Sequence, residues 1–135
     1  MSKMIFISLP VRDLAASIGL YLAIGCTKNE QFSDENTACM NWSETISFML
    51  LNHTAYSSFT DKPIGDARET SPMMIALTLD SREAVDAIVE AAAANGGKAD
   101  TREAKDMGFM YQRTFEDPDG NQFEPLWLNP NASFE

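Results

Sequence analysis

Met4-Ile-Phe-Ile-Ser-Leu-Pro-Val-Arg-Asp-Leu14 sets a strand against a helix, and the chain writes that junction twice. Residues 4–11 are apolar and rich in strand formers, and Asp13 stands where a helix N-cap would. Leu14, Ile18, Tyr21 and Leu22 then recur at helical spacing, and Gly25 supplies the left-handed backbone that ends a helix. The second copy starts at Met73-Met-Ile-Ala-Leu-Thr-Leu79. There Asp80 or Ser81 is the cap, and Glu83 stands at capping-box spacing from Asp80. Ala84, Val85, Ile88, Val89 and Ala92 form the buried stripe, and Gly96-Gly97 stops the helix. With a shift of 68 residues Ile7 meets Ile75, Leu9 meets Leu77, Val11 meets Leu79 and Asp13 meets Ser81.

The far ends of the halves match too. Phe48-Met-Leu-Leu51 and Phe123-Glu-Pro-Leu126 align at an offset of 75. Between helix and last strand each half has room for a hairpin: 27–32 with 37–42 in the first, 98–103 with 109–116 around a turn at Asp106-Met-Gly108 in the second. Asp117-Pro-Asp-Gly120 is a β-turn signal that feeds the final strand. Each half therefore reads β-α-β-β-β, and the chain is an α+β protein of two βαβββ modules in a single domain, 1–135. Module one covers about 4–52, a linker about 53–71, and module two about 72–129. Tyr56 and Phe59 predict a short helical turn near 55–60 that packs back on the sheet; the linker reads as a crossover or as a lid.

Composition narrows the function classes. The chain is 44% hydrophobic and 22% charged, as a globular domain is, and its net charge of −10 gives a pI near 4.4. Phosphate backbones need clustered Lys and Arg, so no nucleic-acid partner is expected. The charge is uneven: residues 1–65 hold 4 basic and 6 acidic side chains, residues 66–135 hold 6 and 14. That excess serves solubility or attracts a cationic ligand. No apolar run is long enough to span a bilayer and no signal-peptide pattern opens the chain, so no membrane partner is expected. Cys26 and Cys39 are too few for a disulfide framework and read as reduced thiols, which places the protein in the cytoplasm.

Leu9-Pro-Val-Arg-Asp-Leu14 early and Phe115-Glu-Asp-Pro-Asp-Gly-Asn-Gln-Phe-Glu124 late, on such a repeat, resemble the vicinal oxygen chelate superfamily. That superfamily takes in glyoxalase I, the bleomycin- and fosfomycin-resistance proteins and the extradiol dioxygenases. The stretches 81–94, 107–111 and 113–119 are most similar to a branch described only as glyoxalase- or bleomycin-resistance-like. The resemblance implies curved mixed sheets around a cavity and a homodimer. It also implies four metal-ligand positions, which fall here on Phe6, Met49, Met74 and Glu124.

Of these four only Glu124 has hard-ligand chemistry. Phenylalanine cannot ligate, and methionine sulfur suits Cu(I) rather than Zn²⁺, Ni²⁺, Mn²⁺ or Fe²⁺. No metal and no other cofactor is therefore expected. The only histidine, His53, lies several residues past the strand that carries Met49. Strand alternation puts Ser8, Ser47, Leu51, Ala76, Gln122 and Leu126 on the faces of the four positions. Trp42, Phe109, Tyr111 and Trp127 are candidates to line or roof the cavity, with ordinary core packing as their alternative. Glu124 is to be paired, with Arg113 as its candidate partner, or else to serve as a catalytic base or an anchor for a cation. The expected ligand-binding set is Phe6, Ser8, Trp42, Met49, Met74, Tyr111, Arg113 and Glu124. Three readings stand: a metal-free protein that binds an apolar or cationic small molecule, a lyase-, isomerase- or dioxygenase-type enzyme using Glu124 with or without a divalent metal, or a dimeric scaffold whose cavity is filled by its own side chains.

Overall fold

Asp13 accepts a hydrogen bond from the Ala16 N–H at 3.1 Å, so helix α1 (Leu14–Ala23) begins where strand β1 (Ile5–Val11) runs out. Gly25 ends it with φ +112. The computed structural model describes residues 2–132; residue 1 and residues 133–135 of the expected 1–135 domain lie outside the described residues. The second junction repeats the first. Strand β5 (Met74–Leu79) leads to Ser81, which caps α3 (Arg82–Ala94) by accepting from the Ala84 N–H at 3.0 Å. Ser81, not Asp80, is thus the cap. In α3 the buried residues are Val85, Ile88, Val89 and Ala92. In α1 Leu20 and Tyr21 are buried while Leu22 points outward, one position off the expected stripe.

The first sheet has the order β1-β4-β3-β2, with β4 (Ile46–Asn52) parallel to β1 and antiparallel to β3 (Thr37–Asn41). Strand β2 (Thr27–Asn29) is shorter than the expected arm, because Asn29 caps a 3-10 turn, Glu30–Phe32. The second sheet repeats the plan around β10 (Gln122–Leu128), which runs parallel to β5. On the other side of β10 the hairpin is broken into four pieces. Strand β6 (Lys98–Ala99) pairs with β9 (Phe115–Glu116), and β7 (Lys105–Asp106) with β8 (Met110–Gln112). The break begins at Asp100, whose φ of +51 turns the backbone out of the strand.

Both sheets turn one face onto a shared core with α1 and α3. Leu9, Val11, Phe48 and Leu50 come from the first sheet, Leu77, Phe115 and Phe123 from the second. Four rings join the halves: Phe48 and Phe123 meet edge-on at 5.6 Å, Tyr21 touches both, and Phe115 stacks on Phe123 at 4.9 Å. The opposite faces of the sheets consequently point away from each other.

The linker opens with α2 (His53–Ser57), capped by Asn52, near where a helical turn was expected. Tyr56 is half-buried, but Phe59 is 78% exposed and does not pack back on the sheet. Asp66 ties the linker down: the Arg12 guanidinium bridges it at 3.1 Å to Asp119, also at 3.1 Å, in the turn before β10.

Candidate functional site

Alternation fixes what the two outward faces carry. On β1 and β4 it turns Phe6, Ser8, Met49 and Leu51 away from the core. Phe6 and Met49 line a cavity of about 270 Å³ whose third wall is Phe32. Beside it Ser8, Leu51, Tyr56, Phe59 and Lys62 bound another of about 280 Å³ under the linker. The first cup is therefore apolar, with Phe32 and Phe59 standing exposed at its margins.

The second cup differs. Met74, Arg102, Glu116, Gln122 and Glu124 surround about 150 Å³. Arg102 Nη2 donates to Glu124 Oε2 at 2.5 Å, and the Glu124 side chain is only 17% exposed. The Arg102 backbone is held beside the sheet: Thr114 Oγ1 accepts the Arg102 N–H at 3.1 Å and a hydrogen bond from Thr101 Oγ1 at 3.2 Å. Gln122 Nε2 donates to Ser71 Oγ, which closes the cup against the linker.

Arg102 therefore takes the place expected of Arg113. Arg113 donates its backbone N–H to Pro125, whose side chain faces the core, and so lies on the helix side of the sheet. There its guanidinium holds Asp100 at 2.7 Å and Asp86 at 3.0 Å. Tyr111 joins that cluster by donating to Asp86 at 2.6 Å. Trp42 packs against the core beside Gly25. Of the expected ligand-binding set, Phe6, Ser8 and Met49 thus share one cup face and Met74 and Glu124 the other, while Trp42, Tyr111 and Arg113 lie on neither. Arg102, Phe32 and Phe59 are the cup residues the sequence reading missed. Arg113 lies opposite Pro125, one residue from Glu124 on β10, and so on the other face; Arg102 lies in the bend between β6 and β7, and no sequence signal marks it.

The four positions implied for a metal do not come together as a donor set. Phe6 has no lone pair, Met49 and Met74 offer soft sulfur, and Glu124 already has a guanidinium. Among the described residues no group of three or more His, Cys, Asp or Glu side chains could hold an ion. His53 is exposed at the start of α2. Cys26 and Cys39 are buried and unpaired, and burial pushes the Cys26 thiol up to about 12. The residues present do not fit a hard divalent ion.

Comparison with known proteins bears on this geometry. The profile of the Glyoxalase/Bleomycin resistance protein/Dioxygenase superfamily matches residues 3–124. No curated protein matches the chain. A hypothetical protein from S. aureus superposes with a TM-score of 0.77 at 23% identity, covering 94% of each chain. A glyoxalase-related enzyme from Fulvimarina pelagi gives 0.78 at 18% identity, over 94% of this chain and 88% of that one. The fosfomycin resistance protein FosX from Listeria monocytogenes gives 0.67 at 20% identity, over 100% and 94%. At these identities the structures share the fold.

Proposed function

The chain belongs to the glyoxalase/bleomycin resistance protein/dioxygenase superfamily, and from that premise we propose that it is a metal-free protein whose homodimer encloses an apolar small molecule. The observation that carries the reading is the pair of half-cups on opposite faces of one protomer, each bordered by an uncovered strand edge. Strand β1 pairs only with β4 and β5 only with β10 among the described residues. Met4, Ile5 and Phe6 on or beside one edge and Met73 and Met74 on or beside the other are all more than 40% exposed. Exposed apolar strand edges are templates for pairing. Joining β1 of one copy to β5 of the next covers both edges and sets the Phe6–Met49 cup against the Met74–Glu124 cup.

The apolar side of the expectation rests on the first cup, where Phe6, Met49 and Phe32 line the space without a charged side chain. Adaptable Met and Phe side chains suit an irregular apolar ligand. The buried thiols fit a cytoplasmic setting. No helix among the described residues is long and apolar enough to cross a membrane.

Two measurements test the reading. After exposure to Zn²⁺, Ni²⁺, Mn²⁺ and Fe²⁺ in turn, the protein is expected to retain no stoichiometric metal. Near-stoichiometric retention of any one overturns the metal-free reading and favours a metal-assisted lyase or dioxygenase. Nile red, a neutral apolar dye, is expected to bind, and Phe6→Asp or Met74→Asp to weaken it by about tenfold or more without lowering the thermal midpoint comparably. Equal loss of dye and fold would make these plain packing positions.

A further inference from the structure

A buried hydroxyl and a buried thiol stand on the cup side of the first sheet. Register sets Asn41, Ser47 and Phe6 in one row across β3, β4 and β1, and Cys39, Met49 and Ser8 in the next. Ala38, Met40, Phe48 and Leu50 of β3 and β4 face the core, so alternation turns both rows outward. Cys39 is nonetheless 1% exposed and Ser47 2%. Both aim their protons at one atom: Asn41 Oδ1 accepts from Ser47 Oγ at 2.8 Å and from Cys39 Sγ at 3.6 Å.

Those two bonds fix the Asn41 amide. An amide oxygen has two lone pairs and its nitrogen two N–H donors. With Oδ1 occupied twice, the half-buried Asn41 presents Nδ2, which has no partner among the described residues. Phe6 and Met49, which wall the cavity of about 270 Å³ together with Phe32, are the row neighbours of Ser47 and Cys39. Asn41 and Met49 are diagonal neighbours across the β3–β4 pair, a separation of about 7–8 Å that one small ligand bridges.

We propose that Asn41 is a specificity-determining residue of the first cup, donating through Nδ2 to an uncharged acceptor oxygen on an otherwise apolar ligand. This rests on the reading of the cups as a ligand site and adds what the first cup recognises.

The atoms already engaged decide the class. A donor on the ligand finds no free lone pair on Oδ1, and the Ser47 and Cys39 acceptors are buried beneath it. Ser8, the remaining hydroxyl of the two rows, lines the neighbouring space under the linker. Neither row carries a charged side chain, so a ligand charge of either sign would lose water without gaining a counter-ion. A neutral acceptor oxygen meets the free N–H groups, and Phe6, Phe32 and Met49 cover the rest of the molecule.

Four probes of one size test this by ligand-observed NMR on the full chain: acetophenone, isopropylbenzene, benzoate and α-methylbenzylamine. Acetophenone is expected to bind about fivefold tighter than isopropylbenzene. Asn41→Asp keeps an oxygen where Ser47 and Cys39 donate and replaces the NH₂ with a second carboxylate oxygen. It is expected to bring the ratio to about one or below while isopropylbenzene affinity stays within about twofold. In labelled, unaltered protein the Asn41 side-chain amide resonance is expected to shift with acetophenone and to stay in place with isopropylbenzene. Equal binding of those two probes, an unmoved Asn41 amide at saturating acetophenone, or an Asn41→Asp protein that keeps the preference each overturns the proposal and leaves the cup reading standing. Benzoate or α-methylbenzylamine as the tightest probe overturns it in favour of a charged ligand. Binding of none of the four overturns the cup reading itself, and the proposal with it.

Discussion

Asp117 takes four hydrogen bonds while being 3% exposed: from the Asp119 and Asn121 N–H groups, Asn121 Nδ2 and the Tyr21 hydroxyl. Burial lifts its carboxyl above the usual value; the bonds from Asn121 and Tyr21 pull it down, and burial wins. A raised folded pKa contributes stability that is present below the unfolded value and lost as pH rises through the folded one. Asp117→Asn loses acceptor capacity beside the Asn121 amide and is expected to destabilise by about 2 kcal/mol at about pH 4. That deficit narrows toward pH 8, since only the unaltered protein must then hold a buried charge. Urea midpoints across that range check it, and a deficit that widens with pH sinks the assignment. Asp86 and Asp100 act in the opposite sense. The Tyr111 hydroxyl and Arg113 hold Asp86 low, and Arg113 holds Asp100 low, so their contribution is lost as pH falls through their folded values, below 3.8. Local signals such as the Asp13 cap were legible in sequence because cap and helix are three residues apart. The Arg102–Glu124 pair was not, because Arg102 lies in the bend between β6 and β7, which only the tertiary fold brings to the outer face of β10.

Turns show the same division between local and tertiary information. Asp117-Pro-Asp-Gly120 was readable as a turn, and Gly120 closes it by donating its N–H to the Asp117 carbonyl at 3.0 Å. What the sequence did not show is that the linker lies on top of it. A Cβ at Gly120 would stand 2.7 Å from the Arg68 nitrogen and 2.8 Å from the Ala67 carbonyl, on a backbone with φ +87. Gly108, in the β7–β8 turn, has φ +80 and open space around it. Gly108→Ala is therefore expected to cost about 1 kcal/mol, the left-handed backbone penalty alone. Gly120→Ala adds a backbone collision and is expected to cost about 3 kcal/mol or more, with the linker displaced. Similar losses at both sites, by thermal or chemical unfolding, would mean that the linker yields freely. The repeat itself was legible because each module is a short-range β-α unit with its own apolar period. The broken outer strands of module two were not, because the departure at Asp100 is set by backbone pairing across the sheet rather than by composition.

A single protomer turns one face of each sheet onto the shared core and the other away from it, with the linker lying over part of the first. The shared core through Tyr21, Phe48 and Phe123 prevents the chain from folding its own cups together without taking that core apart. A second copy is the economical cover, yet each copy carries a net charge of −10. Apolar edges drive association while long-range repulsion opposes it, and only the repulsion is screened by salt. Dimerisation is therefore expected to strengthen between about 0.05 and 0.5 M NaCl, where the Debye length falls well below about 15 Å. Light scattering should give twice the chain mass of 14.9 kDa at tens of micromolar protein in the higher salt. Ile5→Lys and Met74→Glu place charges on the two edges, where both residues are more than half exposed, so each is expected to yield monomers with little change in protomer stability. An unaltered protein that stays monomeric at both salt concentrations would leave the cups open, and a closed ligand site would then have no structural basis.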